Sequence, residues 1–198
     1  MQEASPARRS NRERTEATRA ALVAAARNLF IEKSYAETGT PEIVAAAGVT
    51  RGALYHHFAD KQALFRAVVE AEAAAVAAEI DAATEAPTSV RQALLDGADA
   101  FFRTMAAPGR TRLLLLDGPA VLGRTVMDEI DERYGGRTLV EGLTAAMEAG
   151  ELQRLPVSAL AAQLSAMFDR AALAIEAGAS VEDHRKVFAA IIDGLSKR

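Results

Sequence analysis

Residues 40–58 read TPEIVAAAGVTRGALYHHF and predict two short helices joined by a tight turn. Thr40 can cap a first helix that starts at Pro41, where the missing backbone N–H costs nothing. Gly48 ends this helix at a position that favours a left-handed backbone. Thr50 can then cap the second helix. Two short helices with a glycine in the turn between them indicate a helix-turn-helix unit.

The second helix is predicted to bury Leu54 and Phe58 and to turn small, polar and basic residues outward. The outward and flanking positions are Arg51, Gly52, Ala53, Tyr55, His56 and His57. Small residues allow a duplex to come close, while arginine and histidine can reach base edges and tyrosine can meet phosphate. Since this helix enters the major groove in helix-turn-helix proteins, the pattern predicts a site for double-stranded DNA.

The composition is that of a globular protein. Half of the 198 residues are hydrophobic, a quarter are charged, and the formal net charge is −4. The absence of cysteine excludes disulfides, cysteine-based metal sites and a cysteine nucleophile. Residues 1–14 lack the apolar stretch of a signal peptide, and no apolar run approaches the roughly 18 residues of a membrane span. We therefore expect a cytoplasmic protein without a membrane segment.

Charge is divided unevenly along the chain. Residues 1–66 carry ten Lys and Arg against seven Asp and Glu, and the remaining residues carry 13 against 20. A basic front favours contact with a polyanion, although chance clustering of solvated charges is the alternative. Arg8, Arg9, Arg12 and Arg14 give residues 1–14 the character of a basic flexible tail. Such a tail either enters a minor groove, simply neutralises phosphate, or stays solvated without a defined contact.

The periodicity predicts an all-α fold of about nine helices. Apolar residues recur at helical spacing through most of the chain, and alternating β-branched runs are missing. Gly118-Pro119 is expected to stop a helix, and Gly135-Gly136 marks either a boundary or a kink. We expect a helix-turn-helix domain at residues 15–66 and a helical ligand-binding and dimerisation domain at residues 67–198.

The stretch GVTRGALYHHF, followed by Asp60, Lys61 and Leu64, closely resembles the DNA-binding region of TetR-family transcriptional regulators, with a match from about Thr18 to Val68. The resemblance implies phosphate contacts from Thr40, Tyr55, His57 and Lys61. It also implies a base-facing surface of Arg51, Gly52, Ala53 and His56. Pro41-Glu42 departs from the family, many of whose members carry a basic residue there, so the first helix is not expected to read bases. Val44 replaces the usual alanine, a change that alters the packing of the two helices.

The resemblance further implies a homodimer with a pocket for a small-molecule effector in each C-terminal domain. Apolar and Met-rich surfaces between bundle helices are where such pockets form, although these residues more often pack the core. The candidate ligand-binding residues are Phe101, Phe102, Met105, Leu116, Asp117, Met127, Met147 and Phe168. A largely apolar effector is expected. Asp117 could instead cap the next helix or pair with Arg112 or Arg124.

The leading hypothesis is a repressor that leaves a palindromic operator when its effector binds. Apolar stripes at residues 160–175 and 184–195 favour pairing of these helices in a two-fold dimer. Lys61 to about Ala83 forms a helix that reaches from one domain into the other and would carry the movement. The alternatives are an activator, a sequence-nonspecific architectural DNA binder, and a helical ligand-binding protein or enzyme that has lost DNA binding.

No catalytic role is expected, because the sequence contains no Gly-rich phosphate loop and no nucleophile elbow. His56 and His57 are neighbours on a helix, so their side chains diverge and cannot chelate one metal ion. We expect no cofactor and no metal. His184 lies in an amphipathic helix, where a partly buried or interfacial position is the default.

Overall fold

The computed structural model describes residues 11–85 and 89–196, and it confirms the all-α prediction. The α-helices are α1 (Asn11–Lys33), α2 (Thr40–Ala46), α3 (Arg51–His57), α4 (Lys61–Ala83), α5 (Val90–Met105), α6 (Arg110–Arg112), α7 (Gly118–Leu122), α8 (Arg124–Arg133), α9 (Gly135–Glu148), α10 (Val157–Glu176) and α11 (Val181–Leu195). A π-helical turn at Leu113–Asp117 joins α6 to α7. With that continuous stretch taken as one helix, the described residues form ten helices, close to the expected nine.

The chain forms two compact units, Met1–Val68 and Val69–Arg198, and the expected domain boundary after residue 66 lies beside this division. The prediction of a flexible tail is wrong for Arg12 and Arg14, because both lie in α1. Helix formation there is supported by the i,i+4 pair between Arg12 and Glu16, whose Nε and Oε1 atoms are 2.8 Å apart. Arg8 and Arg9 lie outside the described residues.

The first unit is held together by one apolar core beneath α2 and α3. Helix α1 packs against both of these helices. The fully buried side chains of this core are Leu22, Ala26, Phe30, Ile43, Leu54, Leu64 and Phe65. The rings of Phe30 and Phe65 meet edge to face with centroids 5.2 Å apart, a favoured aromatic geometry. This core fixes the two short helices, which are too short to be stable alone.

The second unit is a bundle in which α5, α9, α10 and α11 surround a large apolar core. Phe102, Phe168 and Phe188 form its aromatic centre, and the rings of Phe168 and Phe188 lie 4.8 Å apart. His184 is half-buried on α11, with its ring 6.5 Å from that of Phe102, which agrees with the expected partly buried position.

The predicted stop at Gly118-Pro119 is wrong, because the chain stays helical through this pair. The π turn accounts for the difference. The N–H of Gly118 donates to the carbonyl of Leu113, five residues back, and Pro119 falls in the first turn of α7, where its missing N–H is tolerated. A side chain at residue 118 would meet the Leu113 carbonyl oxygen and the Met127 sulfur at 2.9 Å, so glycine is required here.

The pair Gly135-Gly136 opens a new helix and is a boundary, not a kink within one helix. Helix α8 ends at Arg133, and α9 begins at Gly135. Tyr134 between them has φ −118° and ψ −95°, outside the helical region. A bend at this residue therefore separates the two helices.

Candidate nucleic-acid interface and cavity

The turn between α2 and α3 is a Schellman motif built on Gly48. Gly48 has a φ of +65°, the left-handed conformation expected from the sequence. Its N–H donates to the carbonyl of Ala45 at 3.2 Å, and the N–H of Val49 donates to the carbonyl of Val44 at 3.0 Å. These two bonds satisfy the last carbonyls of α2 and fix the direction in which α3 leaves the turn.

Thr50 caps α3 as predicted, since its Oγ1 accepts a hydrogen bond from the Ala53 N–H at 3.1 Å. The predicted cap at Thr40 is wrong. Gly39 is the N-cap residue of α2 and makes no side-chain bond, and Thr40 is the first residue of the helix. The side chain of Thr40 instead hydrogen-bonds with the phenol of Tyr55, an interaction that lowers the Tyr55 pKa. Thr40 therefore ties the start of α2 to α3.

Helix α3 has the two-sided character predicted for it. Leu54 and the following Phe58 are buried. The residues on the opposite side and flanks are Arg51, Gly52, Tyr55 and His56, which are exposed, and Ala53 and His57, which are half-buried. The structure thus gathers the predicted DNA-facing residues of α3 on one accessible surface.

The side chains on this surface are oriented by one another. The Arg51 guanidinium lies 5.5 Å from the centroid of the Tyr55 ring, within cation–π range. Partial burial, and then the positive charges of His56 and Arg19, lower the pKa of His57. Because that pKa falls below the ordinary value of 6.5, the His57 imidazole is neutral at neutral pH. Arg51 therefore brings a positive charge to this surface, whereas His57 does not under those conditions.

Lys61 has a structural role that the sequence did not reveal. Its Nζ donates to the carbonyls of Tyr35 and Thr38 at 2.9 and 3.1 Å and lies 4.2 Å from the centroid of the Tyr35 ring. These bonds hold the segment after α1 against the start of α4. An ammonium has three N–H donors, so one is left for a phosphate.

Asp60 caps α4 as expected, with Oδ1 accepting from the Ala63 N–H at 2.7 Å.

Glu42, which departs from the family pattern, is paired within the unit. Its Oε2 lies 2.6 Å from the Nζ of Lys33 at the end of α1. Both side chains are more than a third exposed, so this pair contributes little to stability. It nevertheless neutralises the acidic residue that the sequence places in the first turn of α2.

The second unit contains a cavity of about 270 Å³. Its apolar walls come chiefly from α5, α9, α10 and α11, and they include Leu94, Phe101, Leu139, Phe168 and Phe188. Gly97 and Gly142 also line it, and a Cβ on either residue would contact a neighbouring side chain, at 3.6 Å for Gly97 and 3.3 Å for Gly142.

Of the eight candidate ligand-binding residues, only Phe101 and Phe168 line this cavity. Phe102, Met105 and Met147 are buried in the core, and Leu116 is exposed. Asp117 pairs with Arg112, one of the partners foreseen for it, at 3.2 Å, and Met127 contacts Gly118. These six residues lie at packing or surface positions outside this cavity, because apolar and methionine content does not reveal which side of a helix faces a gap.

Four carboxylates that sequence reasoning missed also line the cavity, namely Asp81, Asp131, Glu141 and Asp169. Each lies on a helix, and the sequence does not show whether its side chain faces a cavity or solvent. Within residues 11–85 and 89–196, no group of three or more His, Cys, Asp or Glu could hold a metal ion. In the same part of the chain, no helix has the length and apolarity that crossing a bilayer demands.

Two family models match most of the chain. The first, described as bacterial regulatory proteins of the tetR family, matches residues 22–68, and the second, a tetracyclin repressor-like C-terminal domain, matches residues 91–197. The HTH-type transcriptional activator FasR of Mycolicibacterium smegmatis is 34% identical over 95 residues, which cover 48% of this chain and 43% of FasR. The HTH-type transcriptional repressor BepR of Brucella suis is 42% identical over 62 residues, which cover 31% of this chain and 29% of BepR. The aligned part of the chain therefore spans less than half the length of either relative.

Solved structures agree over the whole fold. A TetR-family transcriptional regulator from Pectobacterium atrosepticum superposes with a TM-score of 0.72 at 28% identity, covering 96% of this chain and 99% of that one. A protein of unknown function from Rhodococcus shares the fold with a TM-score of 0.76 at 22% identity, covering 98% of this chain and all of its own. The helix-turn-helix geometry and the match of both domains lead to one conclusion: the chain belongs to the TetR family of bacterial regulatory proteins.

Proposed function

We propose that this regulator binds a palindromic operator as a homodimer, with α3 of each protomer in a major groove. The observation that carries the proposal is the accessible face of α3, which combines two small residues, Gly52 and Ala53, with the charge of Arg51. Small residues let the helix backbone approach the bases, and an arginine beside them can bond guanine acceptors. A helix face with no packing partner has no structural reason to combine these residue types.

The residues divide into two roles. Arg51, Gly52, Ala53 and His56 face the bases, while Thr40, Tyr55, His57 and Lys61 contact the flanking phosphates. Thr50 fixes the start of the helix through its bond to Ala53. Phosphate contacts set the position of the helix on the duplex, and base contacts supply the sequence preference. The neutral imidazole of His57 would contact a phosphate as a hydrogen-bond donor and not as an ion pair.

Dimerisation is proposed through α10 and α11. Both helices bury one side in the core of their own unit and leave small or apolar residues outside. The exposed residues of this kind include Ala162, Ala166, Val187 and Ala190. Small side chains let helices of two protomers approach closely. A two-fold dimer then presents two copies of α3 to half-sites about 34–36 Å apart.

Effector control is proposed through the cavity of the second unit. A ligand that fits only one conformation of the dimer shifts the equilibrium by its difference in affinity for the two conformations. A hundredfold loss of operator affinity corresponds to about 2.7 kcal/mol of coupling. We propose repression as the outcome in the cell. The relatives include a named repressor, BepR, and a named activator, FasR, so the direction of control is part of the test.

The test is selection of bound sequences from random duplex DNA, followed by footprinting on the selected site. The expected result is a palindrome protected on both half-sites. Arg51→Ala should relax the preference at particular base pairs and cost about 1–3 kcal/mol of binding free energy. Arg154→Ala is the matched control, because Arg154 is an exposed arginine in the loop before α10 and carries no proposed contact.

Two outcomes would contradict the proposal. Equal affinity for the selected site and for random duplex would favour a nonspecific architectural binder. An equal loss in the Arg51 and Arg154 variants would mean that general charge, and not the face of α3, drives binding. A transcription assay on a template with the selected operator at the promoter then distinguishes repression from activation.

A further inference from the structure

The charge of the cavity wall in the second unit is strongly one-sided. Four carboxylates line the cavity, and its lining contains no lysine, arginine or histidine. Two of the four are paired with one cation outside the lining, since the guanidinium of Arg137 lies 3.1 Å from Asp81 and 3.0 Å from Glu141. Asp131 and Asp169 are therefore the acidic residues that matter for a ligand.

Asp131 and Asp169 have few partners in the protein. The Ser165 hydroxyl donates to Oδ2 of Asp131 at 3.3 Å. In the described part of the chain, no side chain forms a hydrogen bond or ion pair with Asp169. Arg124 is the nearby cation, but its Nε lies 3.2 Å from Asp128, with which it pairs. The two carboxylates thus face the cavity, and one of them, Asp131, accepts a weak hydrogen bond from a hydroxyl.

The titration behaviour of the pair agrees with this shortage of positive charge. Burial, and then the charge of Asp131, raise the pKa of Asp169 to about 6, and Arg124 lowers it only in part. Desolvation is also the main cause of a raised pKa at Asp131. The charged groups around the pair are Asp81 on α4, Arg124, Asp128 and Glu132 on α8, and Arg137 and Glu141 on α9. Adding a cation would stabilise both carboxylates in their ionised form.

The remaining wall is apolar and aromatic. Phe101 and Phe168 have ring centroids 5.3 Å apart, and Phe188 lies 4.8 Å from Phe168. Aromatic faces accept both apolar groups and cations. A cavity of about 270 Å³ is at the small end for a ligand site, which limits the occupant to a body of about one ring.

We propose that the cavity binds an organic cation, a protonated amine or quaternary ammonium on a small apolar body, with Asp131 and Asp169 holding the charged nitrogen and the phenylalanines holding the body. This refines the effector of the proposed function, on which it rests, and it replaces the expectation of a largely apolar ligand. The two carboxylates supply the negative charge that complements the cation, and the hydrogen bond from Ser165 holds the Asp131 side chain at the cavity wall.

The experiment compares three probes that share one ring and one chain but differ in charge: phenethylamine, phenethyl alcohol and phenylacetate. Binding to the full chain is measured by ligand-observed NMR titration at neutral pH. Phenethylamine should bind on the order of tenfold more tightly than the alcohol, the worth of one charge-assisted hydrogen bond, and phenylacetate should bind least. The amine affinity should fall as the pH is lowered through about 6, where Asp169 takes up a proton.

The variants are Asp169→Asn and Asp131→Asn, with Glu182→Gln as the matched control. Glu182 is an exposed carboxylate at the start of α11 and does not line the cavity. Each Asn variant should remove most of the preference for the amine. It should keep the affinity for the alcohol, and that affinity also shows that the cavity is intact. The control should behave like the unmodified chain.

Equal affinity for amine and alcohol, a preference for phenylacetate, no binding of any probe, or an unchanged preference in Asp169→Asn would each overturn the inference. Operator binding, measured separately without probes, tests the proposed function. A chain that binds its operator and ignores the amine refutes the ligand class alone. A chain that prefers the amine but binds no DNA refutes the regulator mechanism and leaves the chemistry of the cavity standing.

Discussion

Replacing Asp169 by asparagine is expected to stabilise the protein at neutral pH. The folded-state pKa of Asp169 is about 6 against an ordinary value of 3.8, a difference of about two units. Each unit corresponds to about 1.4 kcal/mol, so ionised Asp169 costs the folded state up to about 3 kcal/mol. Because Asp169 keeps some contact with water and the asparagine amide must also be desolvated, we expect a gain of about 1–2 kcal/mol. A carboxylate that weakens the fold yet lines a cavity agrees with the ligand site proposed above, because functional positions often reduce stability.

The sign of the pH dependence makes this prediction specific. The raised pKa favours the folded state below about pH 4, and that contribution is lost as the pH rises through about 6. The advantage of the variant should therefore be full near pH 7.5 and vanish near pH 4. Urea unfolding followed by circular dichroism at both pH values measures it, with Glu182→Gln expected to stay within about 0.5 kcal/mol of the unmodified chain. A variant that is less stable at neutral pH, or a gain that is the same at both pH values, would refute the assigned pKa and its cause.

Three further perturbations test other features. Lys61→Met should lower the free energy of unfolding by about 1–3 kcal/mol, because two carbonyls lose their donor. It should also reduce the salt slope of DNA binding by about one, and an unchanged slope in a folded variant would mean that Lys61 does not contact phosphate. Gly118→Ala should destabilise by about 1–3 kcal/mol in thermal unfolding, because its Cβ would meet a backbone oxygen at 2.9 Å, and a neutral effect would contradict the packing of the π turn. Arg110→Met should lower the free energy of unfolding by about 3 kcal/mol, because the Arg110 Nε lies 2.8 Å from the buried carboxylate of Glu72. The double variant with Glu72→Gln should recover most of this loss, and no recovery would mean that Arg110 acts through another contact.

The first unit could be predicted closely because its signals are local. Gly48, in the left-handed region, determines the turn. Thr50, three residues before the N–H that it bonds, determines the cap of α3, and Leu54 and Phe58, four residues apart, determine its buried side. Each of these effects acts within one helical turn. Thr40 shows the limit, because its side chain bonds Tyr55 on the next helix in place of its own backbone.

The features that sequence reasoning missed depend on contacts between distant residues or on a local change of hydrogen-bond register. Lys61 bonds carbonyls 23 and 26 residues earlier in the chain, and a carbonyl leaves no mark in the sequence. The helix through Gly118 and Pro119 depends on a change of hydrogen-bond register that neither residue specifies alone. The carboxylates of the cavity come from separate helices, so only the packing of the bundle brings Asp131 and Asp169 together.

Two glycines of the cavity wall allow its width to be changed in graded steps. At Gly97 an added methyl group would make ordinary contacts at 3.6 Å, whereas at Gly142 it would press on Leu94 at 3.3 Å. Alanine at the first position would therefore narrow the space with little strain, and alanine at the second would narrow it further at the expense of some repacking. Two single-methyl steps, one on α5 and one on α9, would give a graded series of variants that tests discrimination of small molecules by width, while the surface of α3 stays unaltered.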